Sequence, residues 1–251
     1  MSLVTVERSA GVVTFQVANP PLNILSIRVM GELAAALKAV QPSDRVIVIR
    51  GTGKHFSAGA DIGEHMPEKG PEMIALLGTL FHALFDVPIP TVAVVRGACM
   101  GAGLELAAAC DVIFAADEAK MGVPEITLGV FPPIGAVDLP ARVGPVRAAD
   151  LLYTGRTISG KLAAEWGLAL ESAPDAELDA KADAWIAKAA AQSGCALRAC
   201  KRGIRGAASR PYKDALDNAL GIYRNTILPS ADGLEGLKSF IEKRKPVWQD
   251  R

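Results

Sequence analysis

Short apolar runs, rich in β-branched residues, punctuate the first half of the chain, each of strand length and each closed by a glycine, proline or charged break. Val4–Val6 and Val12–Val17 flank Ser-Ala-Gly and predict a hairpin. Arg45–Arg50 (RVIVIR), Thr91–Arg96 (TVAVVR) and Asp111–Ala115 (DVIFA) predict buried strands, with a short one at Lys120–Gly122. Between them, helical patterns cover about Ile27–Val40, Pro71–Asp86 and Gly103–Cys110. Strands alternating with helices predict an α/β fold with crossover connections. After Gly129 the pattern changes. Helices are expected at Pro145–Thr154, Gly160–Trp166, Ala176–Gln192, Cys195–Ala207, Pro211–Leu228 and Ala231–Lys243, with almost no strand candidates beyond Pro132. Such a helical tail is either a lid on the core or an oligomer interface.

Two segments break this regularity. Gly51–Gly70 is a long glycine-containing loop, unusual in a compact domain unless it has a function. Arg96–Asp111 (RGACMGAGLELAAACD) runs from a strand end through Gly97, Gly101 and Gly103 into an apolar helix. Glycines there let backbone approach a ligand closely, and the helix start offers unpaired N–H groups to negative charge. Glu105 lies in that first turn between Leu104 and Leu106, where no polar face exists to solvate it.

The wider composition narrows the function. Half of the 251 residues are hydrophobic, enough for a sizeable core, and 27 basic residues balance 27 acidic ones. No basic stripe interleaved with aromatics supports nucleic-acid binding. No apolar run is long enough to span a bilayer, and the opening stretch lacks an apolar signal core, so a cytoplasmic protein is expected. Cys99, Cys110, Cys195 and Cys200 lack CxxC spacing, and the three histidines are scattered, so reduced thiols and no metal site are expected.

Three candidate sites follow strands, where α/β proteins hold ligands: Phe56–Ile62 (FSAGADI), Gly101–Glu105, and Val123–Gly129 (VPEITLG). Together they offer two sets of backbone N–H groups and two glutamates, Glu105 and Glu125. Two N–H donors can stabilise an oxyanion formed on a carbonyl, such as a thioester enolate; losing one such donor typically costs about 3–4 kcal/mol. Two carboxyls beside the adjacent carbons can hold a water, one accepting its proton while the other donates. Like charges repel, so one of the pair should carry a raised pKa.

FSAGADI, GACMGAGLELAAACD and PEITLG, in this order and spacing, resemble the signature of the crotonase (enoyl-CoA hydratase/isomerase) superfamily, and the likeness extends from the early NPPLN to the closing FIEKRKPVW. The resemblance implies a spiral of ββα units over residues 1–195 and a C-terminal helical region, residues 196–251, for oligomerisation and active-site cover. It implies a homotrimer, often a hexamer formed as a dimer of trimers. An acyl-CoA would bind bent, its thioester oxygen between the N–H groups of Ala60 and Ala102. Ala58, Asp61 and Ile62, with Met100, Gly101 and Pro124, match the segments lining the substrate path. Glu105 and Glu125 match the acid/base pair of the hydratases. No cofactor is implied beyond CoA as part of the substrate. The implied activity is hydration of an α,β-unsaturated acyl-CoA; the alternatives are a Δ3,Δ2-enoyl-CoA isomerase using Glu125, and a non-catalytic acyl-CoA-binding trimer.

Two departures from the family pattern stand out. Ala102 replaces the usual glycine, tolerable at negative φ. Val130–Gly144 (VFPPIGAVDLPARVG) replaces a Gly-Gly-Thr-Gln-Arg-type segment, altering the wall beyond Glu125; with GEHMP it resembles the hydratases of cyclic dienoyl-CoA thioesters (cyclohexa-1,5-diene-1-carbonyl-CoA hydratase). Simpler roles are available to several residues. Glu125 could pair with Arg142 or Arg147, Asp61 could be architectural, and Glu64 and His65 could merely start a surface helix. Cys99 could be filler. Asp138 lies in the divergent wall, and Lys238, Lys243 and Arg244 are either CoA-phosphate ligands or a solvated cluster.

Overall fold

The continuous apolar runs become strands covered on both faces, as parallel sheets require. The computed structural model describes residues 2–208 and 210–251; Met1 of the opening stretch and Ser209 of the C-terminal region lie outside them. β1 (Val4–Ser9) and β2 (Val12–Val17) form the hairpin, closed by Ala10 and Gly11, both at positive φ. α1 (Ile27–Lys38) is capped by the Ser26 hydroxyl, and its Val29, Met30, Leu33 and Leu37 stripe is buried. Next come β3 (Val46–Gly51), α2 (Gly70–Asp86), β4 (Thr91–Val95), β5 (Ala98–Met100), α3 (Ala102–Ala109), β6 (Val112–Ala116) and β7 (Lys120–Gly122). The chain continues through α4 (Gly135–Val143), α5 (Pro145–Thr154), β8 (Thr157–Ser159), α6 (Gly160–Glu165), β9 (Glu171–Ala173) and α7 (Asp175–Ala190). α8 (Gly194–Ala207), α9 (Tyr212–Ile222), a π turn at Tyr223–Ile227 and α10 (Ala231–Ile241) complete it.

The strands form two sheets, in the orders β1-β2-β3-β4-β6-β9 and β5-β7-β8. Apart from the β1 hairpin, the larger sheet is parallel. Two turns of the chain each contribute a five-residue strand to this sheet and a three-residue one to the smaller sheet, then a helix: β4, β5, α3 and β6, β7, α4. The segment after β3 joins the smaller sheet by a single parallel bridge, Ser57 to Cys99. This repetition is the spiral of ββα units expected from the motifs.

Four local expectations are corrected. Beyond Pro132 there are two strands, β8 and β9, each three residues long and too short to show a period. A helix also forms at Gly135–Val143, where Gly135 and an internal Pro140 hide it from propensity. Ala98–Met100 is a strand, not part of a glycine turn, because β7 pairs with it in parallel. The helix expected to continue to Leu228 gives way to a π turn after Ile222.

Ion pairs fasten the later helices to the sheet. Arg50 and Arg96, at the ends of β3 and β4, reach Asp175, Asp179 and Asp183 of α7. α8 is held by Lys201, only 5% exposed, whose Nζ lies 2.8 Å from Asp111 and donates to the Ile89 carbonyl at 2.6 Å. No helix among the described residues is long and apolar enough to cross a membrane.

Candidate active site

The loop after β3 and the turn after β5 meet because their backbones hydrogen-bond directly. Ser57 N–H donates to the Ala98 carbonyl at 3.0 Å, and Met100 N–H donates to the Ser57 carbonyl at 2.9 Å. Ala60 and Ala102 each lie three residues beyond this bridge along their segments. The approach needs glycine. A Cβ on Gly103 would lie 2.6 Å from the Ser57 carbonyl oxygen, and one on Gly59 would lie 3.0 Å from that of Met100. From the other side, Leu25 N–H donates to the Gly59 carbonyl and Ala58 N–H to the Leu22 carbonyl. Buried Asn23 ties the NPPLN segment to the same loop through the Thr52 and His55 carbonyls.

This bracing leaves two backbone donors unused. Ala60 N–H has no acceptor among the described residues. Ala102 opens α3, so its N–H has no intrahelical acceptor, and the described residues supply none elsewhere. Ala102 keeps an ordinary negative φ, so its Cβ is accommodated.

Glu105 is 2% exposed, on the first turn of α3. Its Oε1 accepts from the N–H groups of Ile134 (2.9 Å) and Gly135 (2.8 Å), at the start of α4. Burial, aided by the nearby Glu125 carboxyl, pushes its pKa up to about 7 against the pull of those two amides. Glu125 enters beside it because β7 pairs with β5, Met100 opposite Gly122, and the chain then turns through a 3₁₀ segment at Pro124–Leu128. Its carboxyl presses on Gly101, where a Cβ would stand 2.6 Å from Oε1; Gly101 also has φ of +53°. Glu125 Oε2 is buried with no hydrogen-bond partner among the described residues, and burial raises this pKa too, with His65 opposing. A carboxyl oxygen buried without a partner is costly to keep, which marks it as a group awaiting one.

The simpler pairings for Glu125 fail. Arg142 donates to the Cys110 and Asp111 carbonyls, and Arg147 to the Trp166 carbonyl. Asp61 is architectural: its side chain caps the 3₁₀ turn Ile62–His65 through Gly63 N–H at 2.8 Å. Glu64, read as a surface residue, instead accepts from Ile27 N–H at 2.7 Å and anchors α1 to the loop. Ile62 is well exposed, while Ala58, Met100 and Pro124 are half-buried around the same turn. Cys99 is fully buried in the small sheet, as filler would be. Arg244 is occupied by Glu235 and Glu242. Sequence reasoning missed the Ile134 and Gly135 amides; Pro132–Gly135, a proline pair followed by glycine, is the signal of a tight backbone approach there.

The family model described as enoyl-CoA hydratase/isomerase matches residues 7–251. A cyclohexa-1,5-dienecarbonyl-CoA hydratase from Thauera aromatica is 38% identical over 252 residues, covering 99% of this chain and 96% of that protein. A probable enoyl-CoA hydratase from Bacillus subtilis is 37% identical, covering 99% of each. The crystal structure of an enoyl-CoA hydratase from Bacillus anthracis superposes with a TM-score of 0.95 at 31% identity, over 99% of this chain and all of that one. Matched from end to end by family, sequence and fold, the chain belongs to the enoyl-CoA hydratase/isomerase family.

Proposed function

We propose that this protein adds water across the α,β double bond of an enoyl-CoA thioester. The observation that carries the reading is a pair of glutamates with raised pKa values, one holding a buried oxygen unpartnered among the described residues, together with two backbone N–H groups that find no acceptor there. The Ala60 and Ala102 amides hold the thioester oxygen and stabilise the enolate. Glu105 and Glu125 share a water, one taking its proton as oxygen adds to the β-carbon and the other delivering a proton to the α-carbon. A pair carrying one proton between them meets both needs. Ala58, Asp61, Ile62, Met100, Gly101 and Pro124 supply the walls of the substrate path. No redox or metal chemistry is required by this reaction, and CoA enters as part of the substrate.

Similarity along the whole chain to a cyclohexa-1,5-dienecarbonyl-CoA hydratase supports a cyclic dienoyl-CoA as the substrate. The test follows loss of the conjugated enoyl-thioester absorbance with crotonyl-CoA and with cyclohexa-1,5-diene-1-carbonyl-CoA. Turnover of either, abolished in Glu105→Gln and in Glu125→Gln, supports hydration; the preferred thioester decides ring against chain. If Glu105→Gln keeps substantial activity on a 3-enoyl-CoA, the enzyme is an isomerase. Tight binding without turnover makes it an acyl-CoA-binding protein.

The core, residues 1–195, carries this chemistry, and residues 196–251 serve association into a trimer or a dimer of trimers. Exposed Leu234, Leu237, Phe240 and Ile241 on α10 support that role, since an apolar face of this kind favours a partner. Light scattering reads the mass directly. The free thiols, two of them buried, suit a cytoplasmic location.

A further inference from the structure

A cavity of about 720 Å³ lies between α2, α3, α4 and α8. It is large enough for the distal part of an acyl group. Its near wall adjoins the reaction centre. Ala108 and Ala109 line it one turn beyond Glu105 on α3, and Ile134, whose N–H grips Glu105, lines it on α4. The lining is mostly apolar; exposed His82 is part of it, and most of the other polar groups are committed. Asp111 is held by Thr91, Lys201 and Arg205. Arg142 donates to two carbonyls, and Arg205 lies over the Phe85 ring. Asp138 differs. It is half-buried, one helical turn beyond Ile134 on the same face of α4, and its carboxyl makes no hydrogen bond or ion pair among the described residues.

The surroundings restrict what can satisfy that carboxyl. A cationic substituent would meet Arg142 and Arg205, which face Asp138 closely enough to act on its charge. An anionic one would meet Asp138 itself. A plain alkyl chain would strip water from the carboxyl and offer it nothing. A neutral hydroxyl donates one hydrogen bond and has no such conflict. We propose that Asp138 is a specificity-determining residue, accepting a hydrogen bond from a hydroxyl on the distal part of the acyl group, so that the cavity selects hydroxylated acyl thioesters. This deepens the enoyl-CoA hydration reading above and rests on it, and it sets a hydroxylated thioester against the cyclic diene, which carries no hydroxyl, as the preferred substrate. One helical turn from Ile134 to Asp138 advances roughly 6 Å, which sets the hydroxyl on the order of four to five bonds beyond the carbon that Glu105 serves.

The test compares 2-hexenoyl-CoA with 6-hydroxy-2-hexenoyl-CoA in the wild type, Asp138→Asn and Asp138→Leu. The readout is the ratio of their kcat/KM values, which is independent of the fraction of active enzyme. The wild type is expected to favour the hydroxylated thioester by about tenfold or more. Asp138→Leu reverses the preference, and Asp138→Asn, which keeps an acceptor, retains part of it. Equal ratios in the wild type and Asp138→Leu overturn the proposal. Calorimetric binding of hexanoyl-CoA and 6-hydroxyhexanoyl-CoA separates the two readings. A hydroxyl preference in binding without turnover spares this inference and sinks hydration; turnover without any hydroxyl preference does the reverse.

Discussion

Glu105→Gln should make the protein more stable at neutral and alkaline pH while destroying its activity. The carboxyl titrates at about 7 in the fold and 4.5 when free. At about 1.4 kcal/mol per tenfold change, the gap amounts to roughly 3 kcal/mol. The sign follows from which state binds the proton. Below pH 4.5 both folded and unfolded Glu105 are protonated, and the group brings no penalty. As pH rises the unfolded chain ionises first, and stability falls until the folded group ionises near pH 7; above that the loss is constant. Glutamine is neutral throughout, and its oxygen can still accept from the Ile134 and Gly135 amides. Urea unfolding of the two proteins at matched concentration, from pH 4 to 8.5, should give curves that coincide at the acid end. They should diverge through pH 5–7, with the variant about 3 kcal/mol more stable above pH 7.5. A difference independent of pH, or a variant less stable at pH 8, would refute the reasoning. It would mean that the two amides already stabilise the carboxylate and that burial does not hold the proton on it.

Glu125→Gln should lower kcat by about 10²–10⁴ with little change in KM, because the interaction lost belongs to the transition state. In the wild type, kcat/KM should be bell-shaped with an alkaline limb near pH 7, where Glu105 loses its proton; an activity flat from pH 6 to 9 counts against a shared proton. Gly103→Ala should lose stability by about 1–3 kcal/mol and reduce kcat, since the new methyl group must displace the Ser57 carbonyl and part the two amide-bearing segments; thermal unfolding and steady-state kinetics read both effects. Lys201→Met should destabilise by about 3 kcal/mol by breaking the pair with Asp111 and leaving the Ile89 carbonyl unmet, as denaturant unfolding will show.

The sequence alone determined the parts of the molecule that rest on local pattern. RVIVIR and TVAVVR could only be strands buried on both faces, and Gly101 and Gly103 marked places where backbone or carboxyl comes too close for a side chain. Glu105 was conspicuous because a charge among alanines and leucines has no local solvent. The order and spacing of FSAGADI, GACMGAGLELAAACD and PEITLG were enough to recognise the family. What the tertiary structure decided is how distant segments meet. Nothing local shows that Ser57 bridges Cys99, or that α4 turns its first amides onto Glu105. β8 and β9 exist only because neighbouring strands offer them hydrogen bonds. Asp138 looked like one charge in a divergent wall; packing placed it on a cavity, with no hydrogen bond or ion pair among the described residues. Periodicity and propensity are properties of neighbours along the chain. A site built from four loops depends on contacts between residues many tens of positions apart, which folding alone brings together.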